Sequence, residues 1–350
     1  MKGYGHLTLA LSTMTFQSYV QTVGERLLFS FDPVNVSNCQ FINLKNNAIS
    51  GGAIICFAAM RLLNCEFHGC LAKNGGAIAV HSSFFGNYLT FKSCESTNNA
   101  GTIYHQSKYV NEFNLNATAV ISSKSPYFGS IVKRSLGSTI VSSLNISNSQ
   151  ATECVGSFEF ENGPTLISFL NIDRSKANAH NGAGCIRSPV ALDIKYSIFK
   201  YCTHNSYIDN VATALLIYSS SFQSKITDTY FVFCQNQNTN TLTVADGSHV
   251  KVQSCYFTGT REEELGKQVL VDVSDTTFGG TFRLPHFSYR EIGFQKGIQI
   301  DDNIYNSDRI FNSATISLLI GLTIAVSFTF IHMKFHIVFN KLTKLNREML

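Results

Sequence analysis

Tryptophan is absent from this 350-residue chain, proline occurs only 5 times, and charged residues make up 14% of it. A soluble globular chain usually carries about 25% charge, so roughly half the ordinary ionic surface is missing. Disorder needs low hydrophobicity and high net charge. With 44% apolar residues and a net charge of +4, the chain has neither, so a largely disordered protein is excluded. Glycine does not recur every third position and no apolar heptads appear, which excludes collagen-like and coiled-coil rods. No clustered Lys/Arg stripe is present to neutralise phosphates, so nucleic acid is not an expected partner. The missing charge is replaced by 29 Asn, with Ser and Thr, and 28 Phe supply the bulk.

One long uncharged run is present. Between Arg309 and Lys334 lies SATISLLIGLTIAVSFTFIHM, residues 313–333. About 20 apolar residues at ~1.5 Å each span a hydrocarbon core of ~30 Å, so this segment reads as a transmembrane helix in contact with membrane lipid. Ser317, Gly321 and Ala325 recur every fourth residue, a small-residue spacing that would allow weak association with a second copy. The tail beyond it, 334–350, carries Lys334, His336, Lys341, Lys344 and Arg347 against Glu348. The preceding flank carries Asp301, Asp302 and Asp308 against Arg309. Positive residues stay cytoplasmic, so the expected topology is a single pass with the N-terminal part outside and the tail inside. The leader expected for that topology is poor: Met1-Lys2 precedes only a short apolar core, Leu7 to Leu11, without a clear cleavage site.

Upstream of residue 313 the dominant signal is self-similarity. Asn38-Cys39-Gln40-Phe41 returns as Asn64-Cys65-Glu66-Phe67, and Gly51-Gly52-Ala53-Ile54 returns as Gly75-Gly76-Ala77-Ile78. A decayed copy stands at Ala100-Gly101-Thr102-Ile103. Weaker copies of the glycine half follow at Gly129, Gly156, Gly184, Ala212, Asn240 and Lys267. Those of the strand half are read at Ser143–Ile146, Phe169–Ile172, Asp193–Tyr196, Ile226–Asp228 and Val250–Val252. A period in the twenties built from short β-patterned runs indicates a solenoid. The regular leucine ladder of leucine-rich repeats is absent, as are runs of helical periodicity. The fold class expected is therefore all-β, a right-handed parallel β-helix followed by one transmembrane α-helix. Phe41 and Phe67 should stack inside it, Gly-Gly corners should admit tight turns, and Asn-rich stretches should form the bends. About nine coils over 27–285 would extend roughly 43 Å at the inter-strand spacing.

These Gly-Gly-Ala-Ile corners on Asn-Cys-x-Phe coils resemble the repeats of polymorphic outer-membrane proteins, and the large surface-protein families of trichomonads look similar. The resemblance covers residues 34–105 best and thins towards 275. Two departures stand out. Phe-x-x-Asn, as at Phe113–Asn116 and Phe233–Asn236, falls out of phase with the corners, and a membrane helix replaces the C-terminal β-barrel. The resemblance implies adhesion or host contact at a cell surface, with an extracellular protein or glycan as partner.

All ten Cys precede residue 313. Cys39, Cys65 and Cys94 are read as one position in successive coils, either a buried reduced ladder or bridges Cys39–Cys65 or Cys65–Cys94. Cys65-x4-Cys70 is the one close pair and has no matching second pair, so no metal is expected. Asn35, Asn116 and Asn145 head Asn-x-Ser/Thr sequons and are candidate glycosylation sites. No catalytic site and no cofactor are expected. Glu159 and Glu161 read as a solvated strand face, Glu262–Glu264 as an exposed loop, and His180-Asn181-Gly182 as a turn before a glycine corner. A polysaccharide lyase or hydrolase on the same scaffold would need clustered carboxylates, which the sequence scatters.

The expected organisation is an N-terminal segment 1–26, a β-helix ectodomain 27–285, a juxtamembrane segment 286–312, the membrane helix 313–333 and a basic tail 334–350. Ligand binding or adhesion is the expected function.

Overall fold

The computed structural model describes residues 33–205, 211–218, 220, 224–234, 239–266, 268 and 270–280, and the backbone of three short strands at Thr15–Phe16, Gln21–Val23 and Leu27–Phe29. They form a right-handed parallel β-solenoid of about 8 turns. Every strand pairs in parallel with its equivalent one turn away, in one 25-stranded and one 7-stranded sheet. Among the described residues no helix is long and apolar enough to cross a membrane. The expected span 313–333, with Ser317, Gly321 and Ala325, lies outside them.

Each turn has four sides. The first is a short strand such as Ile54–Cys56, Ile78–Val80, Ile103–Gln106 or Ile131–Arg134. A loop leads to a long strand such as Met60–His68, Phe84–Lys92, Phe113–Ile121 or Thr139–Ser147, bent in the middle so that it supplies the second and third sides. The fourth side is the small sheet, from Lys45–Asn46 through Lys124–Ser125 to Thr203–His204. The glycine corner closes the turn.

Sequence alternation makes the inside. Cys65 and Phe67 are buried while Glu66 and His68 face out, as a period of two requires. Phe41, Phe67 and Phe91 stack at 4.8 Å with nearly parallel rings. The same column runs on through Val120, Ile146, Ile172, Phe199, Phe231, Phe257 and Phe278. The aromatic ladder is thus interrupted by three β-branched residues that fill the same slot.

Both bends of each turn are left-handed residues. The mid-strand bend falls at Asn38, Asn64, Tyr88, Ala117, Ser143, Phe169, Tyr196, Asp228, Ser254 and Asp275, all with φ between 45° and 55°. The bend onto the fourth side falls at Asn43, Gly69, Ser93, Ser122, Asn148, Arg174, Tyr201 and Phe233. Asparagine suits this region, whereas aromatic side chains pay about 1–2 kcal/mol there. The ladders on both sides over-determine the backbone and impose it.

At the glycine corner the need is for space. A β-carbon on Gly52 would land on the carbonyl oxygen of Gly76, and one on Gly76 on that of Gly101. Gly129, Gly156 and Gly182 continue the column. The corner in this sixth position is therefore Gly182, two residues before the Gly184 expected from sequence. Gly184 pairs with Phe158, inside the first-side strand, and a β-carbon on it would strike that ring. His180-Asn181-Gly182 is thus the corner itself. The later strand copies shift as well. Ile194 pairs with Ile226 and Ile226 with Val252 on the second side, while Ile172 pairs with Phe199 and Phe199 with Phe231.

Candidate functional site

Cys39, Cys65 and Cys94 fall into two columns rather than one. Cys39 and Cys65 precede the Phe column, where the next turn has Leu89. Cys94 stands in register with Cys70, after the bend. That second column begins at Leu44, passes Cys70 and Cys94, changes to Ser123, Ser149 and Ser175, and returns to Cys202 and Cys234. The serines bond the corners: Ser123 Oγ donates to the Gly129 carbonyl at 2.6 Å and Ser175 Oγ to that of Gly182 at 2.7 Å. All ten Cys are free thiols, nine of them buried. Burial pushes Cys65 up to about 11 and Cys255 up to about 12, so these thiols are unreactive. Among the described residues no group of three His, Cys, Asp or Glu could hold a metal ion.

Glu159 corrects the expectation of a solvated face. It points outward from the first side, yet it is 1% exposed. Arg134 Nη2 donates to it at 2.7 Å and Arg187 Nε at 2.8 Å, from the turns before and after. Phe128, Val132, Val155, Cys185 and Leu216 form a second apolar cluster around it. Glu161, two residues on, pairs with Arg134 at 3.3 Å. Burial, and then the neighbouring Glu159 carboxylate, hold the Glu161 carboxyl above its ordinary range. The partners lie one turn away on each side, which is why a local pattern of alternating Phe and Glu conceals the cluster.

Lys133 lies on the inner face of the same sheet and is fully buried. Its ammonium donates to the carbonyl oxygens of Ser135 (2.8 Å), Gly137 (2.7 Å), Glu161 (3.0 Å) and Asn162 (2.8 Å). Burial lowers it to about 8. One turn earlier, His105 occupies the same column and bonds the Ser82 carbonyl at 2.7 Å. Burial lowers His105 to about 4, so it is neutral at pH 7. Both side chains hold the loops between first and second sides from beneath.

Those loops carry the most exposed apolar residues of the solenoid. Tyr109 is 78% exposed, Val110 75% and Leu136 58%, with Val190 exposed two turns beyond Leu136. Ile140 and Leu166, paired in register on the outer face of the second side, adjoin them. The loops stack closely, since Gly137 sits against the Asn111 backbone and Gly163 against Gly137. Arg134, Glu161 and Arg187, in register on three turns, border this apolar crest.

The remaining expected sites fall as follows. Asn38 and Asn64 bond side chain to side chain at 2.7 Å on the outer bend, beside the buried Cys39, Phe41, Cys65 and Phe67. Gly51 and Gly75 are left-handed and open the corners that Gly52 and Gly76 complete. Among the sequons, Asn35 is exposed on the second side. Asn116 is exposed but donates to Asn87 at 3.1 Å, and Asn145 is half-buried and accepts from Asn171 at 3.2 Å. Glu262–Glu264 is no exposed loop: Arg261–Leu265 is a short helix with a Thr260/Glu263 capping box, and Glu264 is buried, accepting from the Gly259 amide.

No family model, no curated protein and no solved structure matches this chain.

Proposed function

We propose that this chain is a single-pass surface protein whose β-solenoid serves adhesion by binding a protein partner through the crest of Tyr109, Val110, Leu136, Ile140, Leu166 and Val190. The supporting observation is the crest itself, a set of exposed apolar side chains on stacked loops bordered by arginine and glutamate. Exposed apolar patches rimmed by polar groups mark interaction sites, and arginine is enriched in them. The membrane helix at 313–333, the outward N-terminal part and the resemblance to outer-membrane-type surface repeats belong to the same proposal. The two carboxylates do not favour the alternative of a polysaccharide lyase or hydrolase. Glu159 is buried and both its oxygens accept from arginines, which leaves it poorly placed for proton transfer or attack.

Surface labelling of intact cells with a tag at each end tests the topology. The N-terminal tag should be labelled and the C-terminal tag protected, and the reverse pattern would overturn it. Cells displaying the chain with Val110→Asp and Leu136→Asp should lose adhesion while keeping surface display. Adhesion equal to that of the unaltered chain would sink the crest as the binding surface. Release of new reducing ends from a polysaccharide panel would establish the enzymatic alternative instead.

A further inference from the structure

The fourth side carries a different surface. Glu95, Lys124, Gln150 and Lys176 stand in register on four successive turns, all exposed. Their strands are short, and the chain swings outward after each, so a groove of about 420 Å3 runs beside the row. Its lining includes Ser96, Ser125 and Ala151, buried between the exposed positions of the row and the corner, and Thr152. Strands lie about 4.8 Å apart, so Lys124 and Lys176, two turns apart, are separated by about 9.6 Å along the solenoid. Neither lysine forms an ion pair among the described residues. The Ser96 hydroxyl is buried at the groove with no hydrogen-bond partner, although a buried polar group is ordinarily satisfied.

We infer that this groove binds an anionic glycan, a linear chain bearing carboxylate or sulfate groups that lies along the solenoid axis. Two ammonium groups without an ion pair among the described residues supply the attraction, and they are spaced so that acidic groups on separated sugars reach one each. Gln150 between them and Thr152 beside it match sugar hydroxyls. A nucleic acid fits less well, since no aromatic ring or arginine lines the groove to stack bases. Glu95, at one end of the row, faces the ligand with the wrong sign and limits its length there. The groove lies on a different side of the turn from the apolar crest, so this inference does not depend on the crest or on its protein partner.

The test uses the purified full-length chain and calorimetric titration with three oligosaccharides: a sulfated glycosaminoglycan fragment, an oligogalacturonate and a neutral dextran fragment. At least one acidic oligosaccharide should bind, more weakly as salt is raised, and dextran should not. Comparing the two acidic arms assigns sulfate or carboxylate. Lys124→Gln with Lys176→Gln should lower affinity about tenfold or more, as expected for lost charge-assisted hydrogen bonds, with an unchanged melting temperature. Glu95→Gln should strengthen binding, and Lys225→Gln on the second side should leave it unaltered. Absence of binding by both acidic chains, or binding that the double variant leaves unchanged, would overturn the inference. Tighter binding of a single-stranded oligonucleotide through the same lysines would overturn it in favour of nucleic acid.

Discussion

At the residue scale, buried ionisable groups set the most specific expectations. Removing one partner of a buried ion cluster leaves its neighbours uncompensated, so Glu159→Ala should cost about 3–5 kcal/mol, read by denaturant unfolding. Glu161 should behave in the opposite sense. Its carboxyl is held above its unfolded value, so the folded state favours the protonated form and loses stability as pH rises through that interval. Glu161→Gln should therefore match or exceed the unaltered chain in stability at pH 7; a clear loss would refute this reading. His105 is lowered to about 4, below its unfolded value near 6.5. The neutral ring is favoured in the fold, so its contribution is full above pH ~6.5 and lost as pH falls towards 4, by about 3 kcal/mol over the interval. Unfolding free energies at pH 7 and pH 5 should differ by about 2 kcal/mol of that loss, and His105→Val, matching Val80 one turn earlier, should flatten it. Lys133→Met would strand four carbonyls, which outweighs the relief of burying a charge, for a net cost of about 2–4 kcal/mol. Hydrogen exchange should then quicken first in the loops at 135–138 and 162–164. None of these roles is legible in the sequence, because the partners of Glu159 stand 25 and 28 residues away. The acceptors of Lys133 are backbone atoms, which have no sequence signature.

At the element scale, the sequence was informative wherever side-chain type and geometry coincide. Asn-Cys-x-Phe marks a bend followed by an inward slot, and the turns at Asn38 and Asn64 show it, while the next keeps only Phe91, stacked in the same column as Phe41 and Phe67. The register became illegible where the slot accepts Val120, Ile146 or Ile172 instead, and where Tyr196 or Phe233 takes a left-handed bend that asparagine would have announced. Gly182 was obscured by Gly184 close by. The glycine column rests on proximity of backbones, and that yields a sharp expectation. Gly129→Ala would press a methyl group into the Gly156 carbonyl and should lower the melting temperature by several degrees or prevent folding. Gly247→Ala is its control for strain without contact, since nothing stands within 4 Å of a β-carbon there. It should cost only the left-handed penalty of about 1–2 kcal/mol.

At the scale of the whole molecule, the thiols report on the integrity of the stack. Nine of ten are buried, so the native chain should titrate with no more than about one equivalent of a thiol reagent, at Cys154, and the unfolded chain with ten. Fewer than ten after unfolding without reductant would mean that disulfides form. The solenoid was legible as a whole because its period survives even where its motifs decay. Its faces were not, since exposure depends on which loops bulge and which side chains in adjacent turns meet. The in-register stack also sets the grain in which this molecule can change. Ser143 and Phe169 hold the same bend in consecutive turns with the same φ of 55°, and the side chains of Asn145 and Asn171, 26 residues apart, bond to each other. Excising residues 143–168 would join Ser142 to Phe169 with every ladder still in step, whereas excising one residue fewer would turn a whole strand inside out. Within the ladders length is therefore quantised, and an insertion or loss there is tolerated when it amounts to a full circuit.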